Sequence, residues 1–255
     1  MELETHNAFE NMAIDEAILK ARIENLVPNT LRLYRWKPSA VSIGRFQEIE
    51  KEVQLDNCRE YGVDVVRRMT GGGTVYHDAT DEITYSLIAR KKDLMTDDIT
   101  ELYARIYSGL AAAIETLGIR ADFNAGNTKA CPNLTVNGRK ISGSAQVHKS
   151  GVVLQHGTLL LRVNLERMFT LLRVPWAKTL SQVVDVAKKK ITSVETEIGK
   201  NISTEEAGRA LANGFEKALG VRFKNGKLAV VEFENSKNLC LQKYSTDAWN
   251  FHGKK

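Results

Sequence analysis

The dipeptide Asn137-Gly138, between the strand-like runs Leu134–Val136 and Lys140–Ala145, constrains the fold of this chain more than any other feature. A two-residue hairpin loop of type I′ needs positive φ at both central positions, which Asn and Gly adopt at little cost, so the chain is expected to reverse here into paired antiparallel strands. A third run, Val152–Leu161, follows directly. Upstream, Thr30–Trp36, Ala40–Ile43, Val63–Arg67 and Ile83–Ala89 are rich in Val, Ile, Leu and Tyr and read as strands. The spacing of Phe9, Met12, Ala13 and Ala17 predicts a helix over residues 8–24. Further helices are expected at about Asp98–Leu117, Leu165–Leu172 and Thr204–Leu219. The last opens with Ser203 and Glu206 at capping-box spacing and stops at Gly220. Strands grouped as hairpins, with helices before, between and after them, predict an α+β fold. Its sheet should be mostly antiparallel and flanked by helices, not doubly wound and parallel.

The 255 residues permit one large domain or two small ones, and no repeat or Pro/Gly/Ser linker divides them. A single unit over 1–255 is expected. From about Val221 the chain is polar and weakly patterned, and a short C-terminal tail is expected from about residue 244. No apolar run approaches the ~20 residues of a membrane span, so no membrane partner is expected. The start, Met1–His6, lacks the basic and apolar regions of a signal peptide. Cys58, Cys131 and Cys240 are odd in number, widely spaced and without CxxC pairing. They argue against a disulfide framework or a zinc site and for a reducing, cytoplasmic setting. The net charge of +5 suits a phosphorylated ligand or an acidic protein partner. Nucleic acid ranks last, because no basic run exceeds Lys188-Lys189-Lys190 and no aromatic RNA-binding signature is present.

Three segments carry chemistry. Arg67-Arg68-Met-Thr-Gly71-Gly72-Gly73-Thr74-Val75-Tyr76-His77-Asp78 follows a β-rich run. Its glycines let backbone N–H groups approach a ligand, which suits phosphates or a carboxylate, and two arginines at the entrance can hold phosphate. The loop is neither a Walker A site nor GxGxxG, and no helix signal starts there. Next, the Asn137-Gly138 hairpin delivers Lys140 onto a strand with Gly143, Ser144 and Ala145, whose small side chains leave room for a ligand. A lysine near a phosphoryl or carbonyl centre stabilises developing negative charge. Third, Gln155-His156-Gly157-Thr158 interrupts an apolar run and either fills a buried hydrogen-bond network or lines a pocket.

Together these segments resemble the lipoate–protein ligase A and octanoyltransferase family, which is related to biotin–protein ligases. Asn11–Glu16, Arg35-Trp36 and Val41–Gln47 look like its first helix and early strands, and the likeness covers roughly residues 8–165. The resemblance implies that Arg68, Gly71, Gly72, Gly73, Thr74, Val75 and Tyr76 contact ATP or an acyl-adenylate, with His77 shaping the pocket. It makes Lys140 the catalytic lysine on the acyl carbonyl and the α-phosphate. It places Gly143, Ser144, Ala145, His156, Gly157 and Thr158 along the acyl pocket. ATP with Mg²⁺ would be cofactors and lipoate or octanoate the substrate. The partners implied are lipoyl acceptor domains of 2-oxoacid dehydrogenase complexes or the glycine cleavage H protein. Lys243–Asn250 looks like the close of the ligase catalytic domain, so a separate small accessory subunit is implied as well.

Two departures stand out. Pro132-Asn133 replaces the Asn-Asp usual in the ligases, which removes a carboxylate, and no protein ligand for a metal is assigned. Cys131 lies where some octanoyltransferases of this superfamily carry a nucleophile, although the interval to Gly138-Arg-Lys is short. It reads first as a small residue at a loop end and second as a thioester-forming nucleophile. The leading expectation is therefore an ATP-dependent lipoate ligase that passes lipoyl from lipoyl-AMP to a lysine. The alternative is an octanoyltransferase that draws on acyl carrier protein and uses Cys131 or Lys140. A catalytically dead binding protein is third, and intact Arg68, glycine loop and Lys140 argue against it.

Overall fold

A computed structural model describes residues 3–126 and 131–253. The order is β1 (Glu4–His6), α1 (Ala8–Ile23), β2 (Thr30–Trp36), β3 (Ala40–Ile43), α2 (Ile49–Glu52), α3 (Leu55–Glu60), β4 (Asp64–Arg67), β5 (Val75–His77) and β6 (Glu82–Arg90). There follow α4 (Ile99–Glu115), β7 (Asp122–Asn124), β8 (Asn133–Val136), β9 (Arg139–Lys149), β10 (Val152–Leu160), α5 (Leu165–Leu171), α6 (Leu180–Lys188), α7 (Val194–Ile198), α8 (Thr204–Leu219), α9 (Val230–Leu239) and α10 (Asp247–Asn250). The larger sheet runs β1-β2-β6-β10-β9-β8-β7. Every neighbouring pair in it is antiparallel except β1 with β2. The expected α+β class with a mostly antiparallel sheet is what forms. Asn137 at φ 50° and Gly138 at φ 75° make the predicted hairpin turn.

Period-2 alternation decides which side chains meet which helix. On β6, Ile83, Tyr85 and Leu87 join Val153 and Leu159 of β10 in a core against Leu102, Ile106 and Leu110 of α4 and Leu211 and Phe215 of α8. The opposite face packs Ile88, Val152 and Leu154 against Ile14, Ile18 and Leu19 of α1. That second face also carries Ser86 and His156, directly paired in register. Polar residues inside apolar strands thus point at α1, where the site lies.

Two features differ from expectation. Ala40–Ile43 and the Val63–Arg67 run do form strands, but in a separate three-stranded sheet ordered β4-β3-β5, with β3 parallel to β4. The polar stretch from Val221 and the expected tail also contain structure: α9, a π-type turn at Cys240–Tyr244, and α10. Tyr244 and Trp249 are buried with Met12 of α1, Trp36 of β2 and Val66 of β4. Two isolated aromatics in a polar segment leave no periodic trace, so only their tertiary contacts reveal the packing. Among the described residues no helix is long and apolar enough to cross a membrane.

Candidate active site

A cavity with about 600 Å³ of empty space, part of it open solvent, lies where β9 and β10 meet the smaller sheet and α1. The structure brings most of the expected residues to its wall: Arg68, Gly72, Gly73, Thr74, Val75, His77, Cys131, Lys140, Gly143, Ser144, Ala145, His156, Gly157 and Thr158. Gly71 and Tyr76 stand outside that lining. Tyr76 packs in a core with Val41 and Ile43, and its hydroxyl donates to Asp78 at 3.0 Å. Met12, Tyr34, Trp36 and Pro132 add wall that the sequence reading did not assign.

The glycine loop joins β4 to β5. Gly72 adopts φ 90°, a region that side chains bearing a Cβ avoid. Its carbonyl oxygen presses on Gly44, where a Cβ would stand only 2.1 Å away. Arg68 lies beneath the loop. Its Nη1 donates to Ser42 O and Oγ, both at 2.8 Å, and its Nη2 donates to Gly71 O at 3.0 Å and Gly73 O at 2.9 Å. Arg67 Nη1 donates to Gly44 O at 3.2 Å and Gln47 O at 2.7 Å, while Nη2 reaches Asn250 O at 2.9 Å. Both guanidiniums therefore serve backbone carbonyls rather than presenting a free fork to phosphate. A loop with almost no side chains leaves its carbonyls to be satisfied from below, and the arginines do so. Burial pulls Arg68 down to about 10, against the raising influence of Cys131, so it stays charged at neutral pH.

Lys140 owes its aim to a β-bulge. Leu134 pairs with Ser142 but Thr135 pairs with Lys140, so Ile141 is an extra residue on β9. In a regular strand residues three apart face opposite sides. The bulge changes that parity, and the Lys140 side chain lies over Gly143, where a Cβ would meet Cε and Nζ at 2.6 Å. Its backbone is held by Lys190 O at 2.8 Å and by the N–H of Thr192 at 2.9 Å. Lys140 is exposed as a residue and lines the cavity. Desolvation there lowers its pKa, with Arg68 acting in the same sense and Cys131 opposing. Cys131 is exposed, and its sulfur lies 3.8 Å from where a Cβ on Gly72 would stand. Tyr107 Oη donates to Pro132 O and Asn133 Nδ2 donates to Cys131 O, each at 3.1 Å, anchoring the segment.

Both cavity histidines are tied to buried carboxylates. His156 Nδ1 lies 3.1 Å from Asp15 Oδ2, and His77 Nδ1 lies 2.6 Å from Glu82 Oε1. His77 also stacks on Trp36 at 4.0 Å. Asp15 further accepts from Arg32 at 3.2 Å and Ser86 at 2.8 Å on Oδ1. Burial alone would raise Asp15, but the hydrogen bond from His156 and the charge of Arg32 outweigh it and hold the carboxyl below its ordinary range. Sequence reasoning assigned no site role to Asp15, Ser42, Thr70 or Glu82. The usable signal was polarity on an apolar face: Asp15 continues the Ala8–Met12 stripe of α1, and Ser42 interrupts a fully buried strand. Among the described residues no group of three or more His, Cys, Asp or Glu side chains could hold a metal ion.

This fold and cavity define a class: the chain belongs to the lipoyl protein ligase A/B catalytic domain family, whose model matches residues 7–216. Within that class it is 38% identical to Octanoyltransferase LipM of Symbiobacterium thermophilum and 36% identical to that of Anoxybacillus flavithermus, each across 94% of this chain and 93% of the relative. Among solved structures, the bi-partite lipoate protein ligase of Thermoplasma acidophilum, determined with its E2 lipoyl domain, superposes with a TM-score of 0.85 at 27% identity, covering 99% of this chain and 95% of that one. Lipoate-protein ligase A bound with ATP gives 0.82 at 27% identity, covering 98% and 96%. The expectation of an ATP-dependent lipoate ligase is corrected by the relatives: octanoyltransferases at 34–38% identity favour the alternative. The glycine loop suggested phosphate, yet the arginines beside it are turned to carbonyls.

Proposed function

We propose that this chain transfers an octanoyl group from an acyl carrier protein thioester to a lysine of a lipoyl domain, through a thioester on Cys131. The observation that carries the reading is the placement of an exposed cysteine in the same cavity as a lysine whose amine is held below its usual pKa. A lowered amine pKa enlarges the unprotonated population that accepts a proton near neutral pH. Lys140 takes the Cys131 proton as sulfur attacks the donor thioester. The new C–S bond forms, the carrier's C–S bond breaks, and the proton passes to the departing carrier thiolate. An unprotonated acceptor lysine amine then attacks the Cys131 thioester. An amide forms, the C–S bond breaks, and Lys140 carries the amine proton back to sulfur. Free N–H groups of the glycine loop face the developing oxyanion, and Met12, Trp36 and Ala145 flank the acyl chain. The acyl group arrives already activated, so this cycle contains no adenylate, and an adenylating accessory subunit has no step to serve. Residues 1–255 act as one catalytic unit.

The test is intact-mass analysis after mixing the protein with octanoyl-loaded carrier protein, without ATP. Wild type gains one octanoyl adduct and discharges it to a lipoyl domain or the glycine cleavage H protein. Cys131→Ser gains no adduct, and Lys140→Ala forms it far more slowly. Transfer by Cys131→Ser, or a strict requirement for ATP, overturns the reading.

A further inference from the structure

Two buried chains of hydrogen bonds converge on Arg68. In one, Asp15 Oδ2 faces His156 Nδ1 at 3.1 Å, His156 Nε2 faces Thr70 Oγ1 at 2.8 Å, and that oxygen accepts from Arg68 Nε at 3.3 Å. In the other, Glu82 Oε1 faces His77 Nδ1 at 2.6 Å, His77 Nε2 faces Ser42 Oγ at 2.7 Å, and that oxygen accepts from Arg68 Nη1 at 2.8 Å. Carboxylate, imidazole, hydroxyl and guanidinium recur in the same order, and all seven residues are buried.

The direction of every proton follows. A carboxylate only accepts, so each imidazole, in its neutral form, carries hydrogen on Nδ1 and offers Nε2 as an acceptor. Each hydroxyl then donates to Nε2 and has only lone pairs left for Arg68, which only donates. Arg68 Nη2 is thereby aimed at Gly71 O and Gly73 O. In a trans peptide the next N–H points opposite to the carbonyl. The N–H groups of Gly72 and Thr74 are therefore turned away from Arg68, and among the described residues neither donates to a backbone carbonyl. Packing alone is a weak reason to keep such chains, since well-packed apolar residues often replace buried ionic groups without loss of stability.

We propose that Asp15 and Glu82 are positioning residues. Through the fixed tautomers of His156 and His77 they orient Arg68, and Arg68 holds the glycine loop so that Gly72 and Thr74 present their N–H groups to the acyl oxygen. The identity of that oxygen rests on the transferase reading, whereas the tautomers do not.

The test has a spectroscopic arm and a kinetic arm. Imidazole nitrogen-15 NMR of wild type shows protonated Nδ1 and unprotonated Nε2 at both histidines near neutral pH. In Asp15→Asn the amide oxygen stays on Arg32, which only donates, so the amide NH₂ faces His156 and drives its proton to Nε2. For octanoyl transfer the kcat of this variant falls about 100-fold, as misplaced catalytic groups do, while KM for the loaded carrier is unchanged. Thr70→Val shows the same loss, and Thr70→Ser, which keeps the hydroxyl, recovers most of it. Nε2-protonated tautomers in wild type overturn the proposal without any variant having to fold. So does a folded Asp15→Asn protein with a switched tautomer and undiminished kcat. A wild type that transfers no octanoyl group refutes the transferase reading instead, and the wild-type tautomers still decide the relay.

Discussion

Desolvation of the Lys140 amine beside the cavity acts on the fold as well as on the chemistry. Its native pKa lies below the 10.5 of an unburied lysine, so between the two values the unfolded chain binds more protons and stability rises with pH. Below the native value the charged amine burdens the folded state by a constant amount. Lys140→Met is therefore expected to stabilise the protein at pH 7 while abolishing transfer, with the stability gain shrinking as pH climbs toward 10.5. Urea melts across a pH series check this, and a gain independent of pH would refute it. The cysteines separate in the same way. Burial pushes the Cys58 thiol up to about 11, while Cys131 is exposed. Iodoacetamide near pH 8 is expected to modify Cys131 first and stop transfer, and Cys58 should react only on unfolding. Peptide mapping after brief labelling decides it.

Among the elements, two glycines show that identical substitutions have different consequences. Gly44→Ala would set a methyl 2.1 Å from Gly72 O, which is backbone and cannot rotate away. The glycine loop must shift, and transfer is expected to fall about 100-fold. Gly214 in α8 packs against α4, where a Cβ would stand 2.4 Å from Ala113 N. Helix propensity favours Ala over Gly by about 1 kcal/mol. Overpacking against a neighbouring backbone costs about 1–3 kcal/mol, so the clash should win and Gly214→Ala should destabilise. Because α4 and α8 lie across the sheet from α1, the residual activity of folded Gly214→Ala should match wild type. Denaturation and transfer assays on both variants test the contrast: one loses activity first, the other stability.

At the scale of the whole molecule, the last residues of the chain help to build the site. Trp249 Nε1 donates to Arg67 O at 2.8 Å, Asn250 Oδ1 accepts from Arg67 N at 2.9 Å, and Arg67 in turn grips the carbonyls of Gly44 and Gln47 that seat the glycine loop. Tyr244 Oη and Lys243 Nζ also bond Glu16 of α1, at 2.6 and 2.5 Å. Trp249→Ala is expected to cost about 3–5 kcal/mol, as large-to-small changes of buried aromatics do, and to lower transfer in the fraction that remains folded. A melt matching wild type would show that this segment only covers the surface.

What could be read in advance was whatever depends on neighbours along the chain. Asn137-Gly138 specified a turn, Ser203 and Gly220 bracketed a helix, and the glycine loop and Lys140 hairpin marked the residues that meet in one cavity. What could not be read depends on parity and on distant partners. A single bulged residue, Ile141, aims Lys140 over Gly143, and no local propensity announces it. Whether Arg67 and Arg68 face a ligand or the protein was settled by carbonyls of other segments. Asp15, on a helix read only for its apolar spacing, became the anchor of His156 through a separation of 141 residues. Local sequence sets the turns, caps and faces because their energies are short-ranged. Only the folded chain decides where buried charges and hydrogen-bond donors point, because each must be satisfied by a partner that folding brings near.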